Sequence, residues 1–401
     1  MNHQTRPHRC LFRGAAALAA LALAGAGLES CSGAAGPSGR AAATTGAPTV
    51  PTPLATSVET ATGTWATVPM GRLDEPLNTF WQLLFRPAGA ASWSNQVEAT
   101  ATATNGGLVL SPGGGSLIVG VLPSVDLTFS PLVATADPGR SWSTGLITAG
   151  LAARPYALAG AGGGRALALV HERDGARVLV TAGGLSTWRT LVSQNAISAT
   201  GAGRSCALGA LTAVGYLGGR ALIGGSCGRP GVVGLFAQQS NAWHLVGPAL
   251  PRSLAGSGVE VLALATTGRE TSALLALVNG SETSLVAAWG AGNGRWSASA
   301  PFRLSPGQQV ASFGAAGRTG LFVLLQEASG HATLMVGQRS TGWQELPSPP
   351  PGTATVAFGG ATVDALSVDS TVLTIWSLNP SSSRWAVRQV MHVPVQFGSS
   401  S

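Results

Sequence analysis

The sequence predicts an all-β chain folded as a β-propeller, and three observations carry that prediction. The 56 glycines and 24 prolines are spread along the chain, which suits many short strands joined by turns better than long helices. From Trp65 onward, apolar runs such as Leu117–Val121, Ala166–Val170 and Leu321–Leu325 alternate with Gly, Ser, Asn and Pro clusters, and no segment after residue 60 holds a helical 3.6-residue period. Third, tryptophan recurs at Trp93, Trp142, Trp188, Trp243, Trp296, Trp343 and Trp385, at spacings of 49, 46, 55, 53, 47 and 42 residues. Four strands of five to six residues with their turns occupy roughly 40–50 residues, which is one propeller blade. The tryptophans therefore predict seven four-stranded blades. Only 28 residues separate Trp65 from Trp93, so an unconventional ring closure is expected, and six blades with an accessory hairpin is the alternative.

In chain order, residues 1–14 are polar and carry Arg6, Arg9 and Arg13, and residues 15–28 form an apolar run of 14. That run is short of the about 20 residues a transmembrane helix needs, and a basic segment followed by a short apolar one is the layout of a secretory signal. It ends in Leu28-Glu29-Ser30-Cys31, which resembles the bacterial lipobox, where Leu and a small residue precede a Cys that becomes lipidated. Glu29 departs from the uncharged residue usual at its position. Residues 1–31 are thus expected to be a lipoprotein signal ending at Cys31, with the mature chain held outside the cell membrane through lipid on that cysteine. Residues 32–61 are almost entirely Ala, Gly, Ser, Thr and Pro and lack the large side chains that would repay ordering, so they read as a flexible tether. The propeller is assigned to residues 62–397 and a tail to 398–401.

Strands can be placed between tryptophans. After Trp296 the pattern gives a fourth strand near 297–304, then a new blade with strands near 310–315, 320–326 and 332–337, before the turn into Trp343. Composition narrows the function classes. Only 10% of residues are charged, too few for a disordered polyelectrolyte. Arg6, Arg9, Arg13 and Glu29 account for two of the formal +7, which leaves +5 after residue 31. No arginine-rich run occurs in the sequence, and a nucleic-acid footprint needs its charges gathered, so no nucleic-acid partner is expected.

Thr135-Ala136-Asp137-Pro138-Gly139-Arg140-Ser141-Trp142 resembles the Asp box of sialidases and other BNR-repeat propellers, with Thr135, Asp137, Gly139, Ser141 and Trp142 at the defining positions. Residues 181–188 keep only Thr181, Thr187 and Trp188 of that pattern. The resemblance implies a structural turn between the third and fourth strands of a blade, opposite the face that binds ligands. Phe85-Arg86-Pro87 is similar to the Phe-Arg-Ile-Pro motif that supplies the first carboxylate-gripping arginine of sialidases, although the Ile is missing. In that family a nucleophilic tyrosine follows late in the chain, whereas the only tyrosines here are Tyr156 and Tyr216.

Other polar residues fall in loops between the second and third strands or between blades. They are His171, Glu172, Arg173 and Asp174, then Arg229, Arg252, Glu282, Glu327 and His331, which with Arg86 are the candidate ligand-face residues. The histidines are isolated, with no metal-ligand spacing, so neither a metal nor another cofactor is expected. Cys206 and Cys227 are expected to form a disulfide between neighbouring strands of one blade, as an oxidising compartment permits. The function this supports is an extracytoplasmic protein- or glycan-binding scaffold without catalysis, and a sialidase-like glycoside hydrolase is the alternative.

Overall fold

A computed structural model describes residues 56–393 apart from 72–78, 97–107, 114–115, 122–129, 136–141, 148–153, 162–163, 173–174, 183, 186, 268–269, 293, 317–319, 361 and 380. Four antiparallel strands, paired in sequence order, repeat seven times along them. Blade 1 comprises β1 (Ser57–Thr60), β2 (Gly63–Gly71), β3 (Thr79–Pro87) and β4 (Ser94–Asn95). Blade 2 comprises β5 (Leu108–Gly113), β6 (Ser116–Val121), β7 (Ser130–Thr135) and β8 (Ser143–Ile147). In blade 3 are β9 (Arg154–Ala161), β10 (Arg165–Glu172), β11 (Gly175–Ala182) and β12 (Arg189–Ser193). Blade 4 follows with β13 (Leu208–Leu217), β14 (Arg220–Cys227), β15 (Gly234–Gln239) and β16 (Ala242–Leu245). Blade 5 holds β17 (Gly258–Thr267), β18 (Glu270–Asn279), β19 (Glu282–Gly290) and an outer strand in two pieces, β20 (Trp296–Ala298) and β21 (Phe302–Arg303). Blade 6 holds β22 (Gln309–Ala316), β23 (Gly320–Gln326), β24 (Ala332–Gln338) and β25 (Gly342–Leu346). Blade 7 ends the series with β26 (Thr353–Gly359), β27 (Thr362–Asp369), β28 (Val372–Asn379) and β29 (Arg384–His392).

The first strand of each blade lies beside the first strand of the next, from β1 through β5, β9, β13, β17, β22 and β26 and back to β1. This closes a ring around a central channel. Blades 4 and 5 are further joined by two pairs between β14 and β17, Ser226 with Glu260 and Cys227 with Val259. Gly224 lies beside that junction, where a Cβ would meet Val261 Cγ1 at 2.6 Å, so the two sheets approach too closely for any side chain there.

Seven clusters of buried apolar residues fill the seven junctions between successive blades. The tryptophan period has its physical cause in these clusters. Each repeating tryptophan stands at or just before the start of its blade's fourth strand and packs into the junction with the preceding blade. Trp142 lies between blades 2 and 1, Trp188 between 3 and 2 and Trp243 between 4 and 3. Trp296, Trp343 and Trp385 repeat the placement, and Trp93 closes the circle against blade 7. One large ring per blade adds its apolar surface to the cluster between successive sheets.

Three expectations need correction. Blade 1 begins at Ser57, inside the segment read as tether, and its residues 57–60 supply the strand that makes the short interval before Trp93 a full blade. The connection from blade 3 to blade 4 contains two short helices, α1 (Gln194–Ser198) and α2 (Gly201–Cys206), capped by the Ser193 and Thr200 side chains. Cys206 consequently sits at the end of α2 rather than on a strand, and its disulfide with Cys227, at a Cα–Cα distance of 4.9 Å, ties that connection to the end of β14. Among the described residues no helix is long and apolar enough to cross a membrane.

Candidate functional site

Up-and-down blades sort their connections onto two faces. Turns joining first to second and third to fourth strands lie on one, here the a–b face; turns joining second to third strands and successive blades lie on the other, the b–c face. His171 and Glu172 end β10 on the b–c face, and Arg229, Arg252, Glu282, Glu327 and His331 fall in connections or strand ends of the same face. Arg173 and Asp174 lie outside the described residues, as do Cys31, Asp137, Gly139 and Ser141. Thr135 ends β7, and Trp142 packs edge-on against Trp65 at 5.8 Å.

Tyr156 is the element the sequence did not single out. It lies on the inner strand β9, 43% exposed, and lines the central cavity. A bulge in the β9–β10 pairing, between Leu169 and Val170, shifts the register beside Tyr156, and its ring stacks on His171 with centroids 4.1 Å apart and planes 29° from parallel. Burial lowers the His171 pKa, against a smaller opposing hydrogen bond with the Leu211 backbone, so the imidazole is neutral at neutral pH. On the next residue, Glu172 pairs with Arg177 at 2.6 Å. Successive side chains of a strand point to opposite faces of the sheet, so this ion pair stands across the blade 3 sheet from the stack, and the b–c mouth gains from the stack one partly exposed aromatic surface.

The remaining candidates do not converge. Glu282 pairs with Arg303 in blade 5. Glu327 and His331 close their own loop in blade 6, where the Glu327 N–H donates to the His331 carbonyl at 2.9 Å. Arg229 and Arg252 are exposed in blade 4. Among the described residues no three acidic, histidine or cysteine side chains group as metal ligands do.

The cavity between the inner strands has a volume of about 80 Å³. Its hydroxyls are bonded within the walls: Ser57 donates to the Val356 carbonyl at 2.7 Å, Ser111 accepts from the Gly160 N–H at 2.9 Å, and Thr212 donates to the Val261 carbonyl. Leu110, Leu158, Val214, Leu262 and Phe313 are among the side chains around it.

Arg86 differs most from expectation. It does not stand on a ligand-face loop: it lies within β3 near its a–b end, is only 4% exposed, and donates to Asp364 Oδ2 at 2.6 Å and to the Thr362 hydroxyl at 2.7 Å. Asp364, fully buried on β27, also accepts from Trp93 Nε1 at 2.9 Å, the Ser377 hydroxyl at 2.8 Å and Arg388 at 3.2 Å. Burial lowers the Arg86 pKa and Asp364 opposes that shift. The guanidinium joins the first blade to the last, 278 residues apart, and is enclosed rather than presented to a ligand carboxylate. Of the two tyrosines, Tyr216 is buried and burial pushes its hydroxyl up to about 12, so it remains protonated at neutral pH.

No protein-family description and no curated protein matches the chain. Solved structures do. The BP39L lectin of Burkholderia pseudomallei is 14% identical, over 85% of this chain and 99% of its own, with a TM-score of 0.51. The fucose-recognising lectin of Aleuria aurantia, a six-bladed β-propeller, is 16% identical over 74% of this chain and 95% of its own, with a TM-score of 0.43. YCF48, solved with a D1 peptide, is 12% identical over 86% and 96%, with a TM-score of 0.41. At these identities the likeness is one of fold: the chain is a β-propeller.

Proposed function

We propose that this chain is a non-enzymatic binding module that takes a glycan at the Tyr156–His171 stack. The observation that carries the reading is an exposed tyrosine on an inner strand, stacked on a neutral histidine at the b–c mouth. A sugar ring offers a C–H face to an aromatic surface. The alternative hydrolase loses support because Arg86, the residue that suggested it, is enclosed with Asp364.

Glycan-array screening followed by titration with the best ligand tests the proposal. Tyr156→Ala is expected to weaken binding about tenfold, the equivalent of one stacking contact of about 1.4 kcal/mol. It should leave the unfolding midpoint nearly unchanged, since the ring is 43% exposed. Full affinity in the variant, or hydrolysis of a fluorogenic sialoside by the native chain, would overturn the reading.

The proposal extends to location: lipid on Cys31 holds the module outside the cell membrane, and the segment leading to Ser57 is its tether. Cys31→Ala should move the protein from the membrane to the soluble fraction. A variant that stays fully membrane-bound contradicts the anchor.

A further inference from the structure

Arginines that are scattered in the sequence are gathered by the fold. Arg165, Arg220 and Arg189 open β10, β14 and β12, Arg384 opens β29, Arg295 precedes β20 and Arg339 follows β24. Each of these positions is on the a–b face, and all six side chains are exposed. Three carboxylates among the described residues stand near the same strand ends, Glu59, Glu270 and the buried Asp364, which is held by Arg86 and Arg388. Glu270 pairs with Arg339 at 3.2 Å, and Glu59 accepts from the Gly360 N–H at 3.3 Å. No carboxylate among the described residues pairs with Arg165, Arg189, Arg220 or Arg384. The b–c face is balanced by contrast, with Glu172 on Arg177 and Glu282 on Arg303, and with Glu327, Glu345 and Asp369 against Arg204, Arg229 and Arg252. Arg269 and Arg318, which the strand bounds place between β17 and β18 and between β22 and β23, lie outside the described residues.

The two faces also differ in relief. All seven turns between first and second strands are two or three residues long, whereas the connection from blade 3 to blade 4 on the other face runs from 194 to 207. The arginines stand at the strand ends of blades 3 to 7, so the basic side chains are spread over several blades rather than gathered in one.

We propose that the a–b face docks on an anionic phospholipid surface, leaving the b–c face with its Tyr156–His171 stack turned away from the membrane. A planar anionic layer matches basic side chains spread over several blades, and each arginine close to such a layer strengthens binding about fivefold. A nucleic acid or an acidic protein would instead favour charges concentrated in a stripe or cleft.

Vesicle sedimentation tests this with the chain from residue 32 on, which retains all seven blade junctions and omits Cys31, so the outcome is independent of the lipid anchor and of glycan binding. Binding is expected to vesicles of 70:30 phosphatidylcholine and phosphatidylglycerol but not to pure phosphatidylcholine, and it should fall away in about 0.5 M salt as screening shortens the reach of the charges. The combined variant Arg189→Ser, Arg220→Ser, Arg384→Ser should bind at least tenfold more weakly. A control with the same charge change on the b–c face, Arg204→Ser, Arg229→Ser, Arg252→Ser, should bind as the native chain does. Circular dichroism confirms that both variants are folded. The proposal is overturned by equal losses in the two variants, by indifference to phosphatidylglycerol, or by retention on single-stranded DNA or poly-glutamate without vesicle binding.

Discussion

Replacing Asp364 with alanine should lower the free energy of unfolding by about 3–5 kcal/mol, the scale for breaking a buried ion pair by removing one partner. The carboxylate is fully buried and accepts from Arg86, Trp93, Ser377 and Arg388. Its removal leaves the Arg86 guanidinium inside the junction between blades 1 and 7 without its paired carboxylate, with only the weaker pull of Glu59. The other contacts across that junction are weaker individually. Ser57 donates to the Val356 carbonyl, the Thr56 and Thr355 hydroxyls share a bond, and the Gln389 amide brackets the Trp93 backbone through its oxygen and nitrogen at 2.8 and 3.0 Å. Among the described residues no strand crosses from one end of the chain to complete the other end's blade, and these side chains, the Gly71 N–H donating to the Ser370 carbonyl at 3.1 Å and one apolar cluster join the two blades. Ser377→Ala removes the hydroxyl's bond to Asp364 and a longer one from Arg388 at 3.4 Å and should cost about 1 kcal/mol. Urea unfolding of both variants measures the order, and an Asp364→Ala protein as stable as Ser377→Ala would contradict this account of closure.

The second large effect is expected at the disulfide. Cys206 and Cys227 are 21 residues apart, and closing a loop of that length restricts the unfolded chain by about 3 kcal/mol. Both sulfurs are buried in the junction between blades 3 and 4, so replacing the pair with serines adds the cost of polar groups among apolar neighbours. Cys206→Ala with Cys227→Ala isolates the cross-link and should lower the unfolding free energy by about 3 kcal/mol under oxidising conditions. With a reductant present, the native chain should approach the double variant. An unchanged unfolding midpoint on reduction would count against a stabilising role for the bond.

How much of this was legible in the sequence follows from what each feature depends on. The tryptophan period was legible because one residue type occupies one place in every blade, and Trp93 to Trp385 mark that place without reference to distant partners. After Trp296, the strands near 310–315, 320–326 and 332–337 lie within β22, β23 and β24 because turns and alternating apolar residues are local signals. Residues 57–60 were not legible as a strand. Val58 is their one apolar residue, and Ser57 is held by Val356, 299 residues away. The helices α1 and α2 are too short to show a period; Ser193 and Thr200, which cap them, were their visible signals. Arg86 was visible as a residue but not as a role, since its partner Asp364 lies in the last blade. The Tyr156–His171 stack depends on a bulge, and the basic face depends on blade repetition that brings separated arginines to one end. Neither has a local signature.

The claim on which the functional reading most depends is that Arg86 builds the ring rather than gripping a ligand. The coupling energy between Arg86 and Asp364, from urea unfolding of Arg86→Ala, Asp364→Ala and the double variant, tests it directly. If the two side chains serve one closure, the double variant should be no less stable than Asp364→Ala, with a coupling of about 2 kcal/mol or more. Losses that simply add would show that Arg86 and Asp364 act separately, and would return Arg86 to the list of candidate ligand-binding residues.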